Sequence, residues 1–260
     1  RGLGDVYKRQ IVSHGVFSVG PKYGCTHHLT LKELGYNSNN DHREIVERLE
    51  NKDIGWAYAD QSMFNPKLHN LMSLRKQIIK RPVITTVEVL VKPVSSKNDM
   101  FFTGFVHKPY PPIYLELSRN AQFNSATVIR GTEGGIIPSL RQTGKVHFYH
   151  GAGEQDDYYD ITPEDLGIVQ SSRAVDIPEE ITRKNTKDKI ESKVDAVDIA
   201  KETIKSGISA LSGNDGPMLS CIQLGAAIIL QRATGNDLGN CSKEVLRVLK
   251  SGAALKRMKR

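Results

Sequence analysis

The segment Ile11 to Gly24, IVSHGVFSVGPKYG, constrains this chain more than any other. An apolar strand end, Ile11-Val12, runs into Ser13-His14-Gly15, a loop carrying Gly20, Lys22 and Gly24 follows, and LTLKEL then takes up helical spacing. Strand, glycine loop and helix in that order are the parts of an α/β crossover with an anion cradle at its turn. Glycines let backbone N–H groups approach a ligand, the helix start offers unpaired N–H groups and the positive end of its dipole, and a lysine adds a full charge. His14, Gly15, Lys22 and Gly24 are therefore the candidate phosphate-binding residues. By itself the pattern is unspecific: any strand-to-helix crossover can carry a glycine-rich turn, and His14 reads equally well as a hydrogen-bonded core histidine.

The alternation of strand and helix continues downstream. Leu29 to Leu34 stops at Gly35, as a short helix with a glycine cap does. A second helix is expected from Asp41 to about Asn51, with Asp41 as N-cap, Glu44 as its capping-box partner and Ile45, Val46 and Leu49 buried. Ile54 to Ala59, Val83 to Val91, Phe101 to His107 and Ala126 to Ile129 read as strands. The spacing predicts a helix from Leu68 to Ile79, ended by Pro82, and another over Ile113 to Arg119. Lys145 to His150 reads as an antiparallel edge strand or hairpin. The stretch 170–205 reads as a charged helical excursion, Leu219 to Arg232 as an apolar helix against the sheet, and the last helix starts at Ser242. Together these imply an α/β fold with a mainly parallel sheet flanked by helices.

Composition narrows the partners. With 260 residues, 38% hydrophobic and 25% charged, the chain can bury a sizeable core and lies far from the signature of disorder. The apolar run Leu219 to Leu230 is broken by Ser220 and Gln223 and is shorter than the roughly 20 residues that span a bilayer. No secretory pattern opens the chain, so a cytoplasmic protein is expected. Cys25, Cys221 and Cys241 show no ligand or disulfide spacing and read as ordinary thiols. The net charge of +7 and the pI near 9.2 suit a partner carrying phosphate, and Ser242 to Arg260 holds seven Lys or Arg against one Glu. Arg1 to Gln10 has neither periodicity and reads as a non-native junction, leaving 11–255 as the domain and 256–260 as a basic tail. His27 and His28 face different directions on a helix start, and Asp156, Asp157 and Asp160 read as a solvated loop.

A family resemblance gives these pieces one frame. SHGVFSVGPKYG followed by LTLKELG resembles the KHGN…SSKSGS…LG segment of the anthranilate phosphoribosyltransferase family, glycosyltransferase family 3. In order along the chain, Ile54-Gly55-Trp56-Ala57-Tyr58 resembles its IGFLFA strand, and Leu74-Arg75-Lys76 with Arg81 resembles its VRRELGxRT. Lys92-Pro93 lies near its GPLxNP hinge, Ile129-Arg130-Gly131 resembles its VVHG strand end, Gly216-Pro217 opens a similar helix, and Ser251-Gly252-Ala253-Ala254-Leu255 matches its closing SGAAL. The resemblance implies the large α/β domain of a nucleoside phosphorylase or phosphoribosyltransferase, with the N-terminal helical domain missing from this stretch. It further implies a site for phosphoribosyl pyrophosphate with Mg2+ if the protein is active, Arg75 facing an aromatic carboxylate acceptor, and a homodimer when full length.

Several visible positions depart from that pattern. Ser13 stands where the family has lysine and Val16 where it has asparagine. The acidic GLDE segment aligns with Gly134-Gly135-Ile136-Ile137, so Ile136 and Ile137 replace the pair that serves magnesium, and the hinge reads VLVKPV. A branch with HGV for HGN and a GTEG segment is associated with nucleic-acid binding, and this chain has both, His14-Gly15-Val16 and Gly131-Thr132-Glu133-Gly134. The two expectations are thus a phosphoribosyltransferase-like protein with a degenerate substrate site, and a nucleic-acid-binding protein on the same fold. For the second, Lys250, Lys256, Arg257, Lys259 and Arg260 are the candidate contacts.

Overall fold

The computed structural model describes residues 9–18, 24–78, 82–183 and 195–260. Most of the expected junction, together with Lys22, Arg81 and the middle of the charged excursion, lies outside these residues. Strand β1 (Ile11–Gly15) pairs in parallel with β2 (Trp56–Asp60), so that Gly15 stands opposite Asp60. Between them run α1 (His27–Glu33) and α2 (His42–Glu50). The expected capping box is present: Glu44 N donates to Asp41 Oδ1 at 2.9 Å, and Asp41 N donates to Glu44 Oε2 at 2.8 Å. α2 lays Ile45 and Leu49 on Ala57 and Ala59 of β2. Val46, expected in the same stripe, is exposed, because a pair four residues apart already covers so narrow a sheet.

Two expectations fail in the next segment. After α3 (Gln61–Phe64), the helix expected from Leu68 to Ile79 is instead two short ones, α4 (Pro66–His69) and α5 (Met72–Gln77). Asn65 restarts the helix by accepting from Leu68 N at 3.1 Å, with Pro66 at the first helical position. The strand expected over Val83 to Val91 is instead α6 (Ile84–Val87) followed by a 3-10 turn, Glu88–Leu90. The Pro82 carbonyl accepts from both Thr85 N at 3.0 Å and Thr85 Oγ1 at 2.8 Å. The segment pairs with no strand among the described residues. Local helical bonds satisfy its backbone, and strand propensity, which reflects a pleated neighbour to pack on, does not decide.

The larger sheet has the order β3 (Met100–Phe105), β4 (Ser125–Arg130), β5 (Gly144–Tyr149), β6 (Asp157–Ile161). β3 and β4 are parallel and joined by α7 (Tyr110–Asn120), while β4–β5 and β5–β6 are antiparallel. The α/β class holds, and its sheets are parallel and mixed. β5 is the antiparallel strand foreseen in a hairpin, but the edge belongs to β6. β6 is built from the acidic segment read as a loop: Asp160 pairs with Lys145 at 3.1 Å, and Asp156 just before it pairs with Arg119 at 2.5 Å.

β4 is buried on both faces. Ala126 and Val128 meet Phe101, Phe105, Leu115 and Tyr149 on the α7 side. The C-terminal helices are α8 (Glu179–Arg183), α9 (Ala196–Leu211), α10 (Pro217–Thr234), α11 (Leu238–Lys250) and α12 (Ala253–Met258). Ile129 meets Val146, Ile161 and the α10 residues Leu224 and Ile228 on the other face. α9 is no exposed excursion: it packs on α1 and α10, with Ala200 and Ala210 buried. Cys221 and Cys241 are free thiols in this core, and burial pushes Cys221 up to about 11. Among the described residues no helix is long and apolar enough to cross a membrane.

Candidate functional site

β1 and β2 end side by side, and the crevice beyond the carboxyl ends of parallel strands is where open α/β sheets take ligands. Thr26 closes the loop that follows β1. Its hydroxyl donates to Phe17 O at 2.8 Å and accepts from Leu29 N at 3.1 Å, capping α1. Gly15 packs closely on Tyr58, where a Cβ would stand 3.3 Å from Tyr58 Oη. Ser13 Oγ lies 3.2 Å from His27 Nε2. The buried His28 turns the other way, with Nδ1 at 3.2 Å from Tyr58 Oη and Nε2 at 3.2 Å from Ser38 Oγ. Asp60 lies 3.7 Å from His28 Nδ1 and caps α3 by accepting from Ser62 N at 2.9 Å. Burial raises the Tyr58 phenol, and the Asp60 charge adds to that, so Tyr58 stays a neutral hydroxyl. Gly24 is exposed with nothing near its Cβ position, and Lys22 falls outside the described residues.

His14 faces the segment that was expected to be a strand. Its Nε2 is 3.3 Å from Val89 O, and its ring meets Phe64 edge-on at 5.6 Å. One residue earlier, Glu88 Oε2 accepts from Arg75 Nη1 at 2.5 Å. The Glu88-Val89 step thus connects two of the candidate residues, His14 and Arg75. Arg75 is 5% exposed, and its Nε has no hydrogen-bond partner. Glu88 was missed in the sequence, although it is the one charged residue between Pro82 and Val91, and an isolated carboxylate in an apolar run asks for a cation.

These histidines make stability depend on pH. Burial holds His14 and His28 below the ordinary 6.5, partly offset by the Val89 carbonyl and Glu88 at His14 and by Asp60 at His28. A lowered folded value means that the unfolded chain binds more protons just below pH 6.5. The contribution is therefore full above that pH and is lost as pH falls toward the folded values. Urea unfolding should show a lower midpoint at about pH 5.5 than at about pH 7.5, and His14→Asn should flatten that difference.

At the end of β4 the chain folds back tightly through Gly131, a 3-10 turn at Thr132–Gly134, and Gly135. Thr132 N donates to Ile137 O at 3.0 Å, and Gly134 takes φ +85°, a left-handed conformation that suits glycine. Ile137 packs on the α10 side of the sheet, where a Cβ on Gly225 would stand 3.2 Å from Ile137 Cγ1, while Ile136 is partly exposed. Of the C-terminal cations, Lys250 donates to Gly213 O at 2.8 Å and pairs with Asp215 at 2.7 Å. Arg257 donates to Ile54 O and Lys52 O, both at 2.6 Å, and Arg260 pairs with Asp53 at 2.7 Å. These three tie the chain end to its own fold; Lys256 and Lys259 are exposed. Among the described residues no three metal-ligating side chains converge.

Comparison with known proteins finds the same architecture. No family model matches the chain. The anthranilate phosphoribosyltransferase of Aquifex aeolicus is 23% identical over 247 residues, 95% of this chain and 65% of that protein. The chain is a homologue of the anthranilate phosphoribosyltransferases. A second Aquifex aeolicus protein, named only as uncharacterized, is 30% identical over 129 residues, 50% of this chain and 36% of its own length. Among solved structures, the Saccharomyces cerevisiae anthranilate phosphoribosyltransferase in complex with 4-fluoroanthranilate superposes with a TM-score of 0.73 at 14% identity, covering 98% of this chain and 64% of that one. The same yeast enzyme in complex with PRPP and Mg gives 0.68 at 16% identity, covering 96% and 63%. The chain spans about two thirds of these relatives or less, and with them shares the fold described above.

Proposed function

We propose that this is an anthranilate phosphoribosyltransferase-like protein whose phosphoribosyl site has lost the charges needed for authentic anthranilate transfer while its backbone cradle still holds a phosphate ligand. The observation that carries the reading is the state of Arg75. The guanidinium that the resemblance assigns to an acceptor carboxylate is buried and already bonded to Glu88. The donor side agrees: Ser13, in place of a lysine, is engaged with His27, and Val16, in place of an asparagine, is buried. Ile136 and Ile137 offer no carboxylate to a hard cation, and the Ile137 carbonyl already accepts from Thr132 N, so the residues at the aligned acidic positions do not fit Mg2+ there.

Calorimetry tests this directly. Phosphoribosyl pyrophosphate titrated with and without Mg2+ should bind weakly and with little dependence on the metal, whereas tight, magnesium-dependent binding would refute the degenerate site. A single-stranded oligonucleotide titrated at about 50 mM and about 200 mM salt measures the nucleic-acid reading, which retains Lys256 and Lys259 as exposed cations. Affinity that falls steeply with salt supports it, and no affinity at low salt ends it.

A further inference from the structure

A cleft of about 420 Å³ opens between the segment after α1, the outer face of α2 and Ile54. It lies at the amino end of β2, the opposite end of the strands from Gly15 and Asp60. Glu44, Glu47 and Arg48 line it from α2 with Asn51 at the C-cap, the i, i+3, i+4 and i+7 positions that share one helix face. Ile45 and Leu49 take another face and pack on β2. A glutamate four residues before an arginine ordinarily bridges to it. Glu44 and Arg48 form no ion pair among the described residues, because each is held by something else. Glu44 Oε2 accepts from Asp41 N at 2.8 Å. The Arg48 guanidinium lies 5.1 Å from the centre of the Tyr36 ring and 5.0 Å from that of Trp56, two rings that stack on each other. Glu47 is engaged with Arg43 at 3.0 Å. The cleft therefore presents one carboxylate and one guanidinium that do not neutralise each other.

Both groups have reachable polar atoms to spare. Arg48 Nε is sealed from solvent, but its two Nη groups are not, and they make no hydrogen bond among the described residues. Glu44 keeps Oε1 as an acceptor. Asn40, 6% exposed, gives Nδ2 to Tyr36 Oη at 3.1 Å and keeps Oδ1 as an acceptor. Asn51 uses Oδ1 to accept from Asp53 N at 2.9 Å and keeps Nδ2 as a donor. Acceptors thus stand at the start of α2, and donors one turn or more further on. We propose that this cleft binds a free α-amino acid with a small polar side chain, its ammonium group on Glu44 and Asn40 and its carboxylate on Arg48 and Asn51. The rise of about 6 Å between residues four apart on a helix suits a zwitterion with one hydrogen-bond length at each end. A ligand with only a positive charge meets Arg48, and one with only a negative charge meets Glu44, so each is opposed where a zwitterion is matched. Apart from Ile54 the lining is polar, which favours a polar side chain.

The chain's single tryptophan, Trp56, lies under Arg48 and reports on the cleft by its fluorescence. Three probes separate the two charges: L-serine, ethanolamine, which lacks the carboxylate, and N-acetyl-L-serine, which lacks the ammonium. L-Serine should change Trp56 emission saturably and bind at least about tenfold more tightly than either of the others. Glu44→Gln keeps the capping box, which glutamine also completes, and removes the charge. It should leave the melting temperature unchanged and weaken L-serine at least about tenfold. Arg48→Gln should weaken it as much. If that variant does not fold, Glu44→Gln decides alone. No fluorescence change with L-serine up to about 10 mM, a singly charged probe binding within tenfold of L-serine, or unchanged affinity in Glu44→Gln each overturns the proposal.

Discussion

Gly131→Ala should destabilise the fold by about 3 kcal/mol or more, enough to lower the melting temperature by roughly 6–12 °C for a domain of this size. An added Cβ would stand 1.5 Å from Gly135 O, and at Gly104 on the neighbouring strand it would stand 2.1 Å from the same atom. Both obstacles are backbone, so no side chain can swing away. The turn itself cannot yield cheaply, because Thr132 N to Ile137 O and Gly135 N to Thr132 O hold its two sides at 3.0 and 3.1 Å. The strain is steric, since Gly131 has φ −90° and ψ 160°, which any residue adopts. Gly153→Ala, with nothing within 4 Å of its Cβ position, is the control and should change stability by no more than about 0.5 kcal/mol. Thermal unfolding of the two variants side by side checks the account, and a Gly131→Ala protein as stable as the control would contradict it.

Arg75→Leu should cost about 3 kcal/mol, the lower end of what breaking a buried ion pair costs, because Glu88 keeps partial contact with water. The change leaves a mostly buried carboxylate without its cation. Arg75→Leu/Glu88→Leu should recover much of that loss, since two apolar side chains of similar volume need no partner. Urea unfolding of the wild type, both single variants and the double variant completes the cycle. A double variant no more stable than Arg75→Leu alone would show that the orphaned carboxylate is not what the single substitution costs. Close backbone approach holds the turn after β4, and a salt bridge ties Arg75 to the turn at Glu88.

What the sequence revealed depended on how local each feature is. The Asp41–Glu44 capping box was legible because both partners lie within one turn and bond only to each other's backbone. The α/β class was legible because alternating apolar segments with turn residues between them report the sheet and its covering helices. Val83 to Val91 was misread because its β-branched composition is the signal of a strand, while its structure follows from bonds to Pro82 and Val83 carbonyls, with no pairing strand among the described residues. The charged excursion was misread at α9 because Ala200 and Ala210 bury a face with small residues that periodicity weighs lightly. Arg75 was singled out by resemblance, but its engagement with Glu88, 13 residues away, is a tertiary fact. The same holds for Arg257, whose bonds to Ile54 and Lys52 span more than 200 positions and clamp the turn before β2.

The claim at the centre of this account is that the fold of an anthranilate phosphoribosyltransferase is present while transfer to anthranilate is not. It is tested most directly by following the fluorescence of anthranilate mixed with phosphoribosyl pyrophosphate, Mg2+ and the protein. The account predicts no loss of signal beyond that of the mixture without protein. Consumption of anthranilate at an ordinary enzymatic rate, about 1 per second or faster, would contradict it.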